Sequence, residues 1–510
     1  MDTTRAKLLY AGLVVAVLCI AACDAGSGLG GPSDPNQPGG GGDVPVAGNA
    51  DSLNPHGEAL TSDEAFHLLR RAAFGATPEQ VAQSVDRGLT PTVDDLLTIK
   101  PVPQPLADLA ASYEDDISRR WLVHLIEGPN PLAEHLAMFW HDRFATSRRV
   151  LQGRDRTLSI DHWEMLRNHA LGNYRAFLEA LTLDPLMLIW LDGANSPKDS
   201  PNENYAREFW ELFTLGRDVL YTEQDIRESA RALTGITLLR ESGLAARPIF
   251  DLQNHDETPK TIFPERAAPA NHDFKSVIDL TLAQPEAARY VARNLFAFLV
   301  HDHPSEATVQ ALAGGFAEGG FEIAPLVRRI LLSEAFFSAE ARGDHVSSPV
   351  EHVVGVARTL DMHLHSEDSQ GFILTRLTQD LAAAGQDLLN PPGVEGWGED
   401  LAWLQDQWIL NRVRALGRTM EYGPDRTTDL PFHLLPDRSR WSQREVRREI
   451  VDAVASVFHL ALTDAERDVY VEVLDQNGWR AFQLEDPDRQ PRHVKEMIRL
   501  MAMDERVIGS

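Results

Sequence analysis

The chain has only two cysteines in 510 residues, Cys19 and Cys23, too few for a disulfide scaffold or a cysteine-rich zinc or iron–sulfur centre. Positive charge is also scarce. Lys and Arg number 48 against 76 Asp and Glu, a formal charge of −28, which argues against a nucleic-acid partner or an electrostatic hold on an anionic membrane. The uncharged apolar run from Leu8 to Ile20 falls far short of the ~20 residues a membrane-spanning helix needs. No Gly-x-Ser-x-Gly elbow and no phosphate-binding loop occurs, and no Gly-x-Gly-x-x-Gly follows a strand, so the usual hydrolase and nucleotide readings are disfavoured. No repeat of fixed period argues for a solenoid, and the Val/Ile/Thr alternation of a large sheet is mostly missing. A hydrophobic content of 43% still excludes wholesale disorder and suffices for real cores.

What is present begins with an address. Arg5 and Lys7 precede the short apolar run, the pattern of a secretory signal. The run ends in Ile20-Ala21-Ala22-Cys23, which resembles the bacterial lipobox, in which the cysteine is diacylated and cleavage falls in front of it. Residues 1–22 are therefore expected to be a lipoprotein signal peptide and Cys23 the lipidated mature N-terminus. The expected location is the cell envelope, exported and held to a membrane through the N-terminal lipid, since several acyl chains anchor stably without a spanning helix. Residues 23–56 are rich in Gly, Pro, Ser, Asn and Asp and carry Gly39 to Gly42 in a row, the composition of a flexible tether that cannot bury enough surface to order itself.

The rest reads as all-α, a multi-helical body of short capped helices with a small β-hairpin or irregular arm. Thr61-x-x-Glu64, Thr77-Pro78-x-Gln80, Ser200-Pro201-x-Glu203, Ser442-x-x-Glu445 and Thr463-x-x-Glu466 each fit a capping box, in which a hydroxyl and a later carboxyl or amide satisfy orphan amide donors. Gly75, Gly88, Gly216 and Gly235 stand where helices should stop in a left-handed residue. The arm is expected between Thr237 and Phe263, with Pro248–Phe250 and Lys260–Phe263 flanking Asn254-His255-Asp256-Glu257. A Pro-, Asp- and Arg-rich stretch at 421–438 separates a helical main domain, 57–420, from a C-terminal helical subdomain, 421–510.

One segment is two-faced. From Ser200 to Gly216, at the helical 100° per residue, Glu203, Asn204, Arg207, Glu208, Glu211 and Thr214 share an arc of about 140°, opposite Tyr205, Ala206, Phe209, Trp210, Leu212 and Phe213. A solvated face with weak pairs fits this pattern. So does an internal polar cluster working as acid and base or holding a metal. The second arrangement is expected here. It makes Glu203, Arg207 and Glu208 largely inaccessible, with Arg143, Arg167 and Arg231 as cationic partners, His141 nearby, and Asn202, Asn204, Glu211, Arg231 and Trp397 lining the cleft. His255 and Asp256 are further acid–base candidates, because an adjacent carboxylate fixes an imidazole tautomer, although a turn-forming Asn-His-Asp run explains them as well. His135 and His141 lack the spacing of a zinc-protease helix. His301, His303, His363 and His365 read as surface histidines at helix ends. Trp140, Trp163, Trp190, Trp210 and Trp403 fall mostly on core stripes.

The run Asn202 to Glu208, with Glu211-Leu212, Thr214-Leu215-Gly216, Tyr221-Thr222, Asp225 and Ala230 to Gly235, resembles the signature of the bacterial family catalogued as domain of unknown function 1800. Further blocks agree: Leu68 to Pro78, Phe139-Trp140-His141 with Phe144, Arg167 with Gly172-Asn173, His255-Asp256 with Lys260, Ser348 to Glu351, Pro391 to Trp397 with Trp403, and Asn411-Arg412. The match spans roughly Asp63 to Gly417. The resemblance implies an exported, predominantly helical protein of unestablished activity, often encoded beside secreted sulfatase-like proteins. It also implies two missing histidines, where this chain has Arg143 and Phe213. A divalent metal on His141, Glu203, Glu208 and Glu211 is weakened by their loss, and no cofactor is assigned. Two functions remain open: an adaptor or accessory protein for an exported, sulfatase-like partner, which is preferred, and an envelope hydrolase working through His141, Glu203, Arg207, Glu208, His255 and Asp256, with or without a metal.

Overall fold

The computed structural model describes residues 50–509, apart from 114–115, 218, 266, 344, 363–369, 399, 423–434, 437–443 and 477–489. The lipobox, most of the tether, Ser442 and the histidines at 363 and 365 lie outside the described residues. Against expectation, the end of the tether is packed, with the Ser52 hydroxyl donating to Glu334 at 2.6 Å and the His56 amide to the Leu332 carbonyl at 2.8 Å, and His301 is buried rather than on the surface. Ala47–Ser510 form one compact unit, mostly helical, with a single two-stranded antiparallel sheet among the described residues. The stretch at 421–438 falls largely outside the described residues. After it, the helices Arg444–Val457, Asp464–Gln476 and Gln490–Ala502 pack on one another, and the last of them packs on Asp406–Tyr422.

Local chemistry sets most helix starts. The Thr61/Glu64 and Thr77/Gln80 boxes close reciprocally, and Thr463 and Glu466 exchange the same bonds. Two more boxes, Thr222/Asp225 and Ser348/Glu351, start the helices Glu223–Leu233 and Pro349–Thr359. The Ser200/Glu203 box does not form. The helix there starts at Asn204, and its first amide donates to Asn202 Oδ1 at 2.9 Å. Gly88, Gly216 and Gly235 have the expected positive φ. Gly75 does not, because Phe74 takes the left-handed position at φ 68°. Gly75 serves a close crossing instead: a Cβ there would lie 2.6 Å from the carbonyl of Gly355, and a Cβ on Gly355 would lie 2.5 Å from the carbonyl of Phe74.

The hairpin is real, but its pairing differs from expectation. β1, Ile236–Leu239, pairs with β2, Arg247–Phe250, with Thr237 opposite Ile249. Lys260 makes an isolated bridge to Ala270. The core runs continuously from Leu60 to Val507 and includes the fully enclosed Trp121, Trp163 and Trp210, while Trp140, Trp397 and Trp403 are also buried. The helix Pro131–Arg143 lies near its centre, in contact with Ser62–Ala73, Leu89–Leu97, Ile117–Glu127 and Leu158–His169.

Candidate functional site

The two-faced segment is not one regular helix. Asn204–Glu208 is α-helical, but Phe209–Thr214 winds as a π-turn. The wider turn rotates everything after Phe209, so Thr214 leaves the polar arc and becomes fully buried, its hydroxyl donating to the Phe209 carbonyl at 2.6 Å. Tyr174 and Tyr290 donate their hydroxyls to the carbonyls of Phe213 and Leu212 at 2.6 and 2.5 Å, holding the turn in place. The apolar side is buried as expected, and Phe213 packs edge-on to Phe144 within the core.

The polar side is half-exposed rather than enclosed, which corrects the expected internal cleft. Arg207 and Glu203 keep side-chain exposures of 32% and 37%. Arg207 donates twice to Glu223 at 2.8 Å and once to Glu203 at 3.3 Å, and it lies 3.6 Å from Glu211. Glu208 is half-buried, and burial followed by the charge of Glu211 raises its carboxyl pKa. The balancing cation from outside the segment is Arg217, bound to Glu395 at 2.5 Å and 3.7 Å from Glu211. The expected partners are engaged elsewhere. Arg167 binds the buried Glu134 at 2.5 Å, Arg231 binds Glu228 and Asp256, and Arg143 lines a separate cavity. Asn202 donates to the Asp192 carbonyl and caps the helix, and Asn204 is exposed. Glu211 is tied into the ion pairs on this face.

His255 and Asp256 stay apart from this arc and work as a clamp. His255 is buried against Phe250, with Nδ1 on the Thr234 carbonyl at 2.8 Å. Burial pushes the Asp256 carboxyl up, but Arg231 and Thr258 outweigh it and hold the carboxyl far below the usual range. Arg231 thereby straps the 256–261 arm to the helix Glu223–Leu233, where Glu228 also accepts the amide of Thr261 at 2.8 Å. The turn-forming reading of this run describes the geometry.

His141 lies inside the molecule, fully buried. Its ring is 5.0 Å from that of Trp397 and 6.1 Å from that of His162, and neither of its nitrogens meets hydrogen-bond geometry with a partner among the described residues. Burial, and then His162, depress its pKa well below the ordinary histidine value. His162 is itself fixed by Asp184 at 2.8 Å and Thr146 at 3.1 Å.

Beside Trp397 is a cavity of about 110 Å³ lined by Asp142, Arg143, Asp302, His345, Glu351, Gln386, Trp397 and Trp403 among others. Segments far apart in the chain build it. Asp142, at the end of the Pro131–Arg143 helix, accepts the Trp397 amide at 2.6 Å. A Cβ on Gly396 would fall 2.3 Å from Asp142 Oδ1, and Gly396 has φ +85°, so only glycine lets this loop close down. The cap carboxylate Glu351 accepts the Ser348 amide at 2.7 Å and His135 Nε2 at 2.7 Å, and it lies 3.5 Å from His345 Nε2. Burial raises the Glu351 carboxyl, but His345 and His135 together outweigh it and hold its pKa well below the ordinary carboxylate range. Burial, followed by Arg71, lowers the His345 pKa against the pull of Glu351. Behind the wall, the fully buried Arg412 donates to the Trp403 carbonyl at 3.2 Å. On the far side of Glu351 and His345 is an inner cavity of about 30 Å³, lined also by Arg70, His135 and His352, a space on the scale of one water molecule.

A larger cleft of about 510 Å³ lies between Gln80 and Met362. Its cations are Arg87, 3.9 Å from Asp95, Lys100 on Asp95 at 2.8 Å, and Arg358 on the carbonyls that end the Ile117–Glu127 helix. The 110 Å³ cavity, on which His345 and Glu351 meet, is the candidate site. Of the residues named from sequence for the cleft, Trp397 and Arg143 line this cavity. His345, Asp142, Asp302 and Gln386 were not named, and Glu351 entered only as the end of the 348–351 block, which with the 391–403 block pointed toward the cavity. Among the described residues, no three His, Cys, Asp or Glu side chains gather in a group able to hold a metal.

No curated protein and no solved structure matches the chain. Residues 67–499 match the family model described as Protein of unknown function (DUF1800), and the chain belongs to that family.

Proposed function

We propose that this is a lipid-anchored cell-envelope enzyme that holds a small polar substrate in the Arg143–Trp397 cavity and moves a proton at His345. The observation that carries the reading is convergence. Four segments distant in sequence, at 138–143, 297–302, 345–351 and 386–403, meet around one cavity whose wall includes a histidine 3.5 Å from a glutamate. His345 would act as general base, Glu351 would fix its orientation and stabilise the imidazolium, and Arg143 would stabilise charge developing on the substrate. These roles replace those first given to Glu203, Arg207, Glu208, His255 and Asp256, whose partners suit a surface cluster and an arm clamp. Attachment through Cys23 would keep this cavity at the membrane where its substrate is made or broken down.

The test is to incubate the purified protein with washed cell envelopes and follow released small molecules by mass spectrometry. Wild type should release a product. His345→Gln, melting at the same temperature, should release none, and equal release by both would contradict the reading.

A second reading, an accessory protein that docks an exported partner such as a sulfatase-like protein, is favoured by one observation. Leu244, Phe250 and Leu252 are exposed on the hairpin arm, and apolar residues clustered in an arm suit a protein contact. Under that reading, Leu244→Asp with Leu252→Asp removes a stoichiometric partner from native-membrane purifications, and His345→Gln does not.

A further inference from the structure

Charge is not spread evenly over the surface. The short turns Arg148–Val150 and Gly153–Thr157 carry Arg148, Arg149, Arg154 and Arg156, and the loop joining β1 to β2 is flanked by Arg240 and Arg247. The two segments pack side by side. Asp155 accepts the Ala246 amide at 3.0 Å and pairs with Arg240, and Leu151, Leu158, Leu186 and Ala246 form a small apolar cluster between them. Arg148 lies 3.7 Å from Asp116 and from Asp387, Arg149 is 3.1 Å from Asp387, and Arg247 is 3.5 Å from Glu241. Asp161, a turn further on, has Glu164 and Asp184 as its charged neighbours. Six arginines thus face four carboxylates, and the exposed Arg154 and Arg156 have no ion pair among the described residues.

Charges further off than about 8 Å are largely screened at physiological salt, so an approaching surface meets this local surplus rather than the chain's formal −28. Apolar side chains project beside it. Val150 ends the first turn, and Leu244, 63% exposed, stands in the hairpin loop. Each is a single tip next to arginines, whereas a stable protein interface buries about 800 Å² per partner around an apolar core. Isolated apolar tips among guanidinium groups suit a bilayer, where the tip enters the headgroup layer and the cations meet lipid phosphates. The chain can present this face. The 26 residues between Cys23 and Ala50 reach up to about 90 Å, and a compact unit the size of Ala47–Ser510 has a radius of gyration of about 23 Å.

We propose that the 148–157 turns and the 240–247 hairpin loop form a docking surface for an anionic bilayer, with Arg154 and Arg156 on lipid phosphates and Leu244 in the headgroup layer. The whole-chain charge argues against such a hold only as an average. With so few surplus charges the contact is weak alone, and attachment through Cys23 would supply the local concentration that makes it effective. The inference rests on the envelope location and is independent of the His345 cavity.

The test uses residues 24–510, which lack the signal region and the lipidated cysteine but contain the whole compact unit. Co-flotation is measured with excess vesicles of phosphatidylcholine, with and without phosphatidylglycerol. Binding should be about tenfold or more tighter with phosphatidylglycerol, and added salt should release the protein. Arg154→Ala with Arg156→Ala should weaken binding about tenfold or more, and Leu244→Asp should weaken it several-fold. All three side chains are exposed, so the melting temperatures should not move. Equal flotation with both vesicle types, or undiminished flotation of the double arginine variant, would overturn the inference. So would vesicles that fail to bind while native membranes yield a protein partner that the double variant loses, since the surface then belongs to a protein. His345→Gln should float like wild type, so a failure here leaves the cavity assignment standing, and equal product release by wild type and His345→Gln leaves the bilayer surface standing.

Discussion

Arg207 and Arg167 show how the same residue type takes opposite roles in one chain. Arg207 sits on a half-exposed face among Glu203, Glu211 and Glu223, where water screens each pair. Replacing it with Ala is expected to cost about 1 kcal/mol or less in chemical denaturation. Arg167 reaches into the core to Glu134, whose side chain is 1% exposed and also accepts from Trp121 Nε1 at 3.1 Å. Arg167→Ala leaves that carboxylate buried without its main cation and should cost about 3–5 kcal/mol. Equal losses for the two variants would contradict this assignment. The sequence showed alternating charge at 203–211 clearly but said nothing of depth, because burial is set by what packs above a helix. Glu134 gave no such signal, being one carboxylate in an otherwise ordinary helix.

At the scale of elements, capping chemistry was the most legible feature. Thr61, Thr77 and Thr463 start helices because their hydroxyls satisfy amides a few residues away, a purely local effect. Helix phase was less legible. A π-turn at 209–214 has no sequence mark, and it moved Thr214 from the surface to the core. Strand pairing was half-legible: Pro248–Phe250 was recognised, but its partner is 236–239 rather than 260–263, since two short apolar runs on either side offered similar patterns. The crossing of Gly75 and Gly355 brings two backbones together across most of the chain. Gly355→Ala should therefore force the helices Ser62–Ala73 and Pro349–Thr359 apart and lower stability by about 1–3 kcal/mol, and an unchanged melting temperature would show that the crossing can relax.

For the whole molecule, buried histidines set the response to acid. Burial draws the rings of His67, His124 and His352 down to about 3. In the unfolded chain each takes up a proton near pH 6.5, so below that pH the unfolded state binds more protons. Stability is fully present above about pH 6.5 and falls as pH drops toward 3, by up to about 1.4 kcal/mol per pH unit for each histidine. Denaturation at pH 7 and pH 5 should show this loss, and His352→Gln should make the slope shallower. Membrane attachment is an independent matter: Cys23→Ser should abolish labelling by radioactive palmitate and release the protein from membranes, whereas retained label would remove the anchor from the account. The central claim is that function resides in the His345–Glu351 cavity and not on the Arg207 face. It is tested most directly by rescue of a deletion strain with variants expressed at equal levels. The account predicts that Arg207→Ala restores the wild-type envelope phenotype and His345→Gln does not; rescue by His345→Gln with failure of Arg207→Ala would contradict it.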